Sequence, residues 1–302
     1  MEQRRKQYDI ALIGGDARIA YMATILAEKG YRVITYGMKK LEENIGNPAT
    51  CADSVEEAIE EAMYIIGGIP LFKNGKVAGG SELHGMSQEA FYRCLEMHQV
   101  VFGGVIPTQF ESLCKERSIV CYDFMRDESL AIFNAIATAE GTILEALKNK
   151  ETNIHGSKSL VLGYGRCAKI LCEKLRGMGA NVTVCARNEI QLAYASAYGD
   201  QVISISQLER EISQFEYIYN TIPAKVFCQS ALSHVRRDAL IIDIASGDGG
   251  IDYACANRLG IRAIQCLGLP GKYAPKISAS GLVDFVVRKI EQGKEICNGD
   301  KG

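Results

Sequence analysis

The sequence lacks the features that mark several classes of protein. Its formal net charge at pH 7 is −2, from 34 Lys and Arg residues against 36 Asp and Glu residues. That balance excludes a basic nucleic-acid binder and a disordered acidic chain as default expectations. The basic N-terminal residues precede an apolar run that is too short for a secretory signal or a membrane span. We therefore expect a cytoplasmic protein with no membrane and no nucleic-acid partner.

Paired cysteines and clustered histidines are missing too. The 11 Cys residues are odd in number and scattered, no C-x-x-C pair occurs, and several (Cys172, Cys185 and Cys228) fall within apolar periodic stretches. Reduced and mostly buried thiols are predicted. The 4 His residues lie far apart, and none has a ligand-like spacing to a cysteine, so no metal site is predicted.

What the sequence does contain is an alternation of short apolar runs with longer segments of helical period. This pattern predicts an α/β protein, and 302 residues suit two doubly wound, parallel-sheet (Rossmann-like) domains. We predict a first domain at residues 1–124, with about five parallel strands, and a second at 149–277. Residues 125–148 are predicted to form a connecting helix, and a helix within 278–297 to return to the first domain, with a cleft between the domains. The Gly-rich segment 71–85 is predicted as a long loop or a small hairpin.

The strongest motif is SLVLGYGRCAKILCEKL, which contains G-x-G-x-x-A between an apolar strand and a helix. In this pattern Gly163 permits the tight turn, Gly165 lets the backbone approach a pyrophosphate, and Ala168 lets the helix pack on the strand. Arg166 and Cys167 lie in the first helical turn, where free N–H groups face the anion. The alternative is a tight turn that binds nothing.

The end of the following strand indicates which dinucleotide binds. Enzymes that use NAD usually place Asp or Glu there, to accept a hydrogen bond from the ribose 2′-hydroxyl. This chain has Arg187, which would pair with the 2′-phosphate of NADP, and Asn188 offers a second donor. NADP is therefore predicted, although Arg187 as a solvated loop residue is the alternative.

Two later loops end apolar strands of the same domain. They are NTIP, with Thr221 and Pro223, and DIASGDGG, with Ala245 and Ser246. Because ligands bind at the carboxyl ends of parallel strands, both loops are predicted to face the nicotinamide half of the cofactor. Ordinary turn chemistry is the alternative for Thr221 and Ser246.

Two cations are candidates for binding an anionic substrate. In IGGDAR, the backbone N–H groups and Arg18 would suit a carboxylate, whereas Asp16 as a helix N-cap is the competing interpretation. Lys276 follows the Gly/Pro loop GLPGKYAP, between the predicted domains, and its alternative is a solvated surface residue.

Two further positions are candidates for proton transfer. Glu140 lies beside Gly141 in the long helix, where a glycine costs about 1 kcal/mol relative to alanine; close approach of a ligand or tight helix packing would explain it. His84 lies in a Gly-rich loop, although a solvated surface imidazole is the simpler interpretation.

Taken in chain order, the motifs GGDAR, TAEGT, IHGS, VLGYGR, NTIP, D-x-AS and GLPG-x-x-AP-K resemble the dipicolinate synthase A subunit of spore-forming bacteria. The resemblance implies an NADP-dependent oxidoreductase that works with a flavoprotein-like B subunit. Its product would be pyridine-2,6-dicarboxylate, made in the mother cell during sporulation from an intermediate of the lysine pathway. The resemblance is weak over residues 39–120.

This chemistry suits the candidate residues. Oxidising a dihydropyridine dicarboxylate removes one hydride and one proton, which requires the ring to be held against the nicotinamide. Because the substrate carries two carboxylates, Arg18 and Lys276 are predicted to hold one each. Asp16, Glu140 or His84 would take the proton. A homo-oligomer is expected. The alternatives are a non-catalytic NADP-binding subunit that regulates a partner and a dehydrogenase of another small acid, such as a 2-hydroxy acid.

Overall fold

A computed structural model describes residues 6–38, 49–80, 83, 85–247 and 249–299, with side chains described as far as residue 293. The chain forms two compact units. Unit 1 comprises Met1–Ala131 with Ala274–Gly302, and unit 2 comprises Ile132–Tyr273. The first division falls within the helix Glu128–Asn149, in the segment predicted as a connecting helix.

Unit 1 is built on a parallel six-stranded sheet. Its strands are β1 (Tyr8–Ile13), β2 (Val33–Tyr36), β3 (Thr50–Cys51), β4 (Ala62–Gly67), β7 (Val100–Gly103) and β8 (Val120–Asp123). They lie in the order β3-β2-β1-β4-β7-β8. A small antiparallel hairpin, β5 (Phe72–Lys73) with β6 (Lys76–Val77), lies in the segment predicted as a loop or hairpin. The predicted count of strands was one too low, because the two residues of β3 are too few to show a periodic pattern.

Helices cover both faces of this sheet. They span Ala17–Glu28, Val55–Glu60, Gln88–Cys94, Thr108–Glu116 and Pro275–Gly299. Ser54 and Ser87 are the N-caps of their helices, and their side chains accept hydrogen bonds from backbone N–H groups of the first turn. Because serine is favoured at this position, it indicates a helix start in the sequence. The C-terminal helix packs against Ala17–Glu28 and buries Leu282, Val283 and Val286 in one of the two cores of unit 1.

Unit 2 contains a second parallel six-stranded sheet with an equivalent strand order. Its strands are β9 (Lys158–Leu162), β10 (Asn181–Ala186), β11 (Gln201–Ser204), β12 (Tyr217–Asn220), β13 (Leu240–Asp243) and β14 (Arg262–Gln265). They lie in the order β11-β10-β9-β12-β13-β14. The strand order reverses between β9 and β12, which is where a doubly wound sheet opens a crevice for a ligand. The fold class predicted from the sequence is therefore confirmed.

The helices of unit 2 complete the two layers. Besides most of Glu128–Asn149, they span Arg166–Gly177, Glu189–Ala197, Leu208–Glu211, Gln229–Ser233, Tyr253–Arg258 and Leu269–Tyr273. One core includes Val161 and Ala168, and the core on the other face includes Leu160 and Ile241.

The cysteines are less buried than the sequence suggests. The ten that are described are free thiols, of which Cys114, Cys172, Cys185 and Cys255 are buried. Cys228 is exposed, contrary to prediction, because it is the N-cap residue of the helix Gln229–Ser233.

Candidate nucleotide-binding site

The glycine turn after β9 has the geometry that the sequence predicts. Gly163 has a φ of +89°, and a Cβ there would lie 2.6 Å from Thr221 Oγ1. Its N–H donates to the carbonyl of Cys185 on the neighbouring strand at 2.8 Å. Only glycine combines this conformation with this contact without strain, so Gly163 makes the tight turn from strand to helix.

Gly165, two residues later, serves a different purpose. It precedes the helix Arg166–Gly177 with a φ of −85°, and no side chain caps this helix. A Cβ on Gly165 would have no heavy atom of another residue within 4 Å, apart from its chain neighbours. The absent side chain thus leaves open space at an uncapped helix N-terminus, where backbone N–H groups attract phosphate.

Ala168 supports this turn from inside the unit. It is fully buried in the core between the helix and the sheet, as predicted for the small third position of the motif. Cys167 lies beside it, where burial raises the pKa of its thiol. Arg166 is exposed at the first helical position.

Arg187 and Asn188 follow directly after β10. Both are exposed, and within the part of the chain that the structure describes the Arg187 guanidinium has no hydrogen bond or ion pair. The Asn188 side-chain oxygen caps the next helix by accepting from the N–H groups of Ile190 and Gln191 at 2.9 and 3.2 Å. Its amide nitrogen remains a possible donor to a ligand, so both residues could meet an anion at this strand end.

A buried polar pair, Asn220 and Asp243, fixes the two loops that the sequence assigns to the cofactor. The two side chains are fully buried and joined by a hydrogen bond of 2.9 Å from Asn220 Nδ2 to Asp243 Oδ1. Asp243 also accepts from the N–H groups of Ala245 and Gly250 at 3.0 and 2.8 Å and from the Tyr253 hydroxyl at 3.0 Å. Burial and the Asp243 carboxylate together raise the pKa of Tyr253.

The loop after β12 is held by the other end of this pair. Asn220 donates to the carbonyl of Ile222 and accepts from its N–H, each at 3.1 Å. Asn220 and Asp243 lie within the motifs NTIP and DIASGDGG, but the hydrogen bond between them was not predicted from the sequence. A polar residue ending each of two adjacent apolar strands is the signal that would have found it.

The predicted cofactor residues on these loops occupy varied positions. The Thr221 hydroxyl donates to the carbonyl of Leu162 at 2.7 Å, so this side chain supports the glycine turn, which agrees with the turn-chemistry alternative. Ala245 is buried, while Pro223 and Ser246 are exposed at the loop surfaces. All four lie beyond the carboxyl ends of β12 and β13. Gly163 follows the carboxyl end of the parallel strand β9, so it lies at the same end of the sheet.

The turn after β1 in unit 1 agrees with one of its two sequence-based interpretations. Its N–H groups are engaged within the chain, since Gly14 donates to Tyr36 and Gly15 donates to Ala78, each at 2.8 Å. Asp16 caps the helix Ala17–Glu28 by accepting from the N–H of Arg18 at 3.0 Å. The N–H groups of Gly14, Gly15 and Arg18 are therefore satisfied within the chain, which agrees with the N-cap interpretation of Asp16.

Arg18 is itself buried and forms a two-point ion pair with Asp16. Its Nε and Nη2 atoms lie 3.0 and 2.7 Å from the two carboxylate oxygens. Nη1 has no partner among the described residues. One face of the guanidinium is thus still available to a second carboxylate.

The long helix and the segment Leu269–Tyr273 are joined closely within unit 2. A Cβ on Gly141 would lie 3.0 Å from both Leu269 Cβ and Tyr273 Cδ2, so tight helix packing explains this glycine. Glu145, mostly buried, accepts from Lys272 at 2.5 Å and from the Tyr273 hydroxyl. These two donors lower the pKa of Glu145.

The remaining candidates are dispersed. Glu140 forms an ion pair with Lys174 at 2.8 Å on the exposed face of the long helix. Lys276 is exposed in the first turn of the helix Pro275–Gly299 and belongs to unit 1, as Arg18 does. His84 lies outside the described residues. Across the described ranges, no group of three or more His, Cys, Asp or Glu side chains could hold a metal ion.

Comparison with known proteins identifies the family. The family model for the N-terminal domain of the dipicolinate synthase A subunit matches residues 9–125. The chain is 28% identical over 299 residues to the dipicolinate synthase A subunit of Bacillus subtilis (strain 168), covering 94% of this chain and 98% of that protein. The crystal structure of the dipicolinate synthase A subunit from Bacillus halodurans is similar to the structure of this chain, with a TM-score of 0.83 and 30% identity. The match covers 95% of this chain and 98% of that one. The chain belongs to the family of dipicolinate synthase A subunits.

The fold of this dipicolinate synthase family is shared more widely. The crystal structure of transhydrogenase from Sinorhizobium meliloti is similar with a TM-score of 0.69 at 15% identity, and the match covers 94% of this chain and 95% of that one. This likeness concerns the fold alone. The two structures share the overall two-sheet α/β fold.

Proposed function

We propose that this chain is the NADP-dependent dehydrogenase subunit of a dipicolinate synthase. It oxidises a dihydrodipicolinate derived from the lysine pathway to pyridine-2,6-dicarboxylate in the mother-cell cytoplasm during sporulation, and its partner is a B subunit. Membership of the dipicolinate synthase family supports the product, and the names of the relatives support the existence of a second type of subunit. The observation that carries the oxidoreductase assignment is the glycine turn, in which Gly163 adopts a positive φ and Gly165 leaves open space at the helix N-terminus.

The residues of unit 2 fit a dinucleotide with a 2′-phosphate. The uncapped helix after Gly165 would hold the pyrophosphate. The guanidinium of Arg187 would pair with the 2′-phosphate, with the Asn188 amide as a second donor. Bound at this site, NADP supplies the hydride acceptor for the reaction. Asn220 and Asp243 act as positioning residues, because they fix the loops that carry Thr221 and Ser246.

The residues of unit 1 supply the substrate contacts in this proposal. The Nη1 atom of Arg18 binds one carboxylate, and Lys276 binds the other. Asp16, whose carboxylate lies against Arg18, or His84 accepts the ring proton. Glu140 does not have this role in the proposed reaction, because its carboxylate is paired with Lys174 on an exposed helix face.

The decisive experiment measures turnover by the purified full chain. The chain is incubated with NADP and freshly prepared dihydrodipicolinate, alone and with a candidate B subunit. Simultaneous growth of NADPH and pyridine-dicarboxylate absorbance is the expected result. NADP binding without turnover in either mixture would favour the non-catalytic role instead, and NADPH formation only with 2-hydroxy acids would favour the other dehydrogenase.

Two matched variants test the substrate contacts. Lys276→Ala should raise KM for the dicarboxylate by about tenfold or more through loss of a charge-assisted contact. Lys115→Ala, which removes another exposed lysine of unit 1, should leave KM unchanged. Equal effects of the two substitutions would remove Lys276 from the site.

A further inference from the structure

Unit 2 contains a pocket between its helices Arg166–Gly177 and Glu189–Ala197 that the proposed reaction does not use. Its volume is about 670 Å³, which lies within the range of small-molecule sites. The pocket follows the first helix away from the glycine turn, since Arg176 lines it and lies about 15 Å along the helix axis from Arg166. The polar and aromatic side chains that line it are Tyr164, Lys169, Glu173, Arg176, Tyr194 and Tyr198.

Tyr164 brings a buried hydroxyl to this pocket. The residue is 4% exposed, and its hydroxyl has no hydrogen bond to any of the residues that the structure describes. Burial raises the pKa of Tyr164, so the hydroxyl keeps its proton at neutral pH. Buried hydroxyls are normally hydrogen-bonded. This one is therefore a donor that a ligand in the pocket can use.

Lys169 presents a cation that has no anionic partner. Its ammonium nitrogen lies over the rings of Tyr164 and Tyr194, 5.6 and 5.8 Å from their centroids. Across the described ranges it forms no hydrogen bond or ion pair, although Glu173 follows one turn later on the same helix. The two rings attract the ammonium through cation–π contacts, and its N–H donors stay available. A ligand carboxylate would therefore meet a cation already held in the pocket.

Glu173 adds a free anion beside this cation. It is exposed and has no hydrogen bond or ion pair within the described part of the chain. The third charged residue, Arg176, is already neutralised by an ion pair with the buried Asp200. Lys169 and Glu173 are four residues apart, so their Cβ atoms lie about 6 Å from each other on one helix face. One free charge of each sign at this spacing suits a ligand whose carboxylate and ammonium lie on one carbon atom, as in an α-amino acid.

Two tyrosines of the other helix supply an aromatic wall. Tyr194 and Tyr198 are 57% and 67% exposed. They are four residues apart at the end of the helix Glu189–Ala197, where Tyr198 is the C-cap, so both rings lie on one face. Tyrosine rings pack favourably against other aromatic rings. The pocket thus favours an amino acid with an aromatic side chain over one with a small aliphatic side chain.

We propose that this pocket binds a free aromatic α-amino acid. Its carboxylate pairs with Lys169 and accepts from the Tyr164 hydroxyl, and its ammonium pairs with Glu173. Its ring packs against Tyr194 and Tyr198. An aromatic acid without an amino group is the competing ligand, but Glu173 would repel its carboxylate. This inference does not rest on NADP binding or on the proposed reaction.

A binding titration with L-tryptophan tests the proposal. The chain has no tryptophan, so indole fluorescence comes from the ligand alone, and its anisotropy should rise on binding to the 33.0 kDa full chain. Tryptamine lacks the carboxylate, and indole-3-propionate lacks the ammonium group. Each should bind about tenfold or more weakly than L-tryptophan, through loss of one charge-assisted contact. L-Alanine, which lacks the ring, should not displace L-tryptophan at equal concentration.

Two variants separate the two charges. Glu173→Gln should weaken L-tryptophan binding about tenfold and leave indole-3-propionate bound equally or more tightly. Lys169→Met should weaken L-tryptophan by a similar factor and leave tryptamine unaffected. A variant that simply unfolds would lose every ligand, so this crossed pattern reports the contacts themselves. Glu209→Gln, at an exposed glutamate of unit 2 that does not line the pocket, is the matched control and should change neither affinity.

Four results would overturn the proposal. They are no saturable rise in anisotropy at millimolar L-tryptophan, indole-3-propionate binding as tightly as L-tryptophan, displacement of L-tryptophan by saturating NADP, and equal effects of Glu173→Gln and Glu209→Gln. The third result would assign the amino acid to the nucleotide site instead. Because binding is measured without substrate or turnover, failure of the proposed reaction would leave this result intact.

Discussion

Changing Arg187 to Asp should reverse the proposed preference for NADP over NAD. The guanidinium is exposed after β10 and has no partner within the described ranges. Its loss should therefore alter the free energy of unfolding by no more than about 0.5 kcal/mol. The variant changes the nucleotide site and leaves the fold intact, so a change in affinity can be read directly.

The size of the effect follows from the chemistry of the strand end. A charge-assisted hydrogen bond contributes about 1.5 kcal/mol at the low end of its range, which suits an exposed group. Losing it weakens NADP binding about tenfold. The new carboxylate repels the 2′-phosphate and should cost NADP about another tenfold. NAD has no such phosphate, and its 2′-hydroxyl can donate to Asp, so its affinity should hold or rise.

Isothermal titration of NADP and NAD into the natural chain and the variant measures the ratio of the two affinities. Arg258→Asp is the matched control, since Arg258 is another exposed arginine of unit 2. It should leave the ratio unchanged. An unaltered ratio in Arg187→Asp would refute the assignment of Arg187 to the 2′-phosphate. A ratio that moves equally in both variants would attribute the effect to net charge alone.

Four other substitutions test the framework of the site. Gly163→Ala should cost about 1–3 kcal/mol in the free energy of unfolding measured by urea denaturation, because its φ of +89° strains alanine and its Cβ meets Thr221. Gly165→Ala should leave that free energy nearly unchanged and weaken dinucleotide binding, and equal unfolding costs at both glycines would contradict the roles assigned to them. Asp243→Ala should cost about 3–5 kcal/mol in the same measurement, since it removes a buried carboxylate that accepts four hydrogen bonds; a loss below about 1 kcal/mol would contradict its positioning role. Glu145→Gln should lower the melting temperature at neutral pH but not at acidic pH. The pKa of Glu145 is lower in the folded chain than in the unfolded chain. The stability that the Glu145 carboxylate contributes is therefore present above the unfolded pKa and is lost as the pH falls through the folded pKa. A difference in melting temperature that is the same at both pH values would contradict that coupling.

The elements that the sequence predicts well are those whose signals are local. The strand and helix on either side of Gly163 follow from an apolar run, a glycine spacing and a helical period, and the structure has both, at Lys158–Leu162 and Arg166–Gly177. The C-terminal helix was predicted within 278–297 but begins earlier, at Pro275. Proline suits the first position of a helix, and this start signal was overlooked. Residues 50–51 were missed, because so short a strand depends on pairing with β2 alone.

The site was predicted less well, because its partners are distant in the chain. The sequence shows that Asp16 and Arg18 are close neighbours but not that each satisfies the other. Glu145 has no local motif, and its donors lie 127 and 128 positions away. The hydrogen bond between Asn220 and Asp243 likewise spans 23 residues. Such contacts depend on which strands become neighbours, and composition does not encode that order.

The two sheets have the same strand order, and each begins with a strand, a glycine turn and a helix. What separates them is the use of their N–H groups. The turn of unit 1 donates to Tyr36 and Ala78, and its helix is capped by Asp16. The helix of unit 2 begins without a side-chain cap at Gly165, where the space for a side chain is left open. A phosphate can replace a missing cap, but it would have to displace an existing one in unit 1. The same architecture therefore favours phosphate binding at the turn of unit 2 over the turn of unit 1.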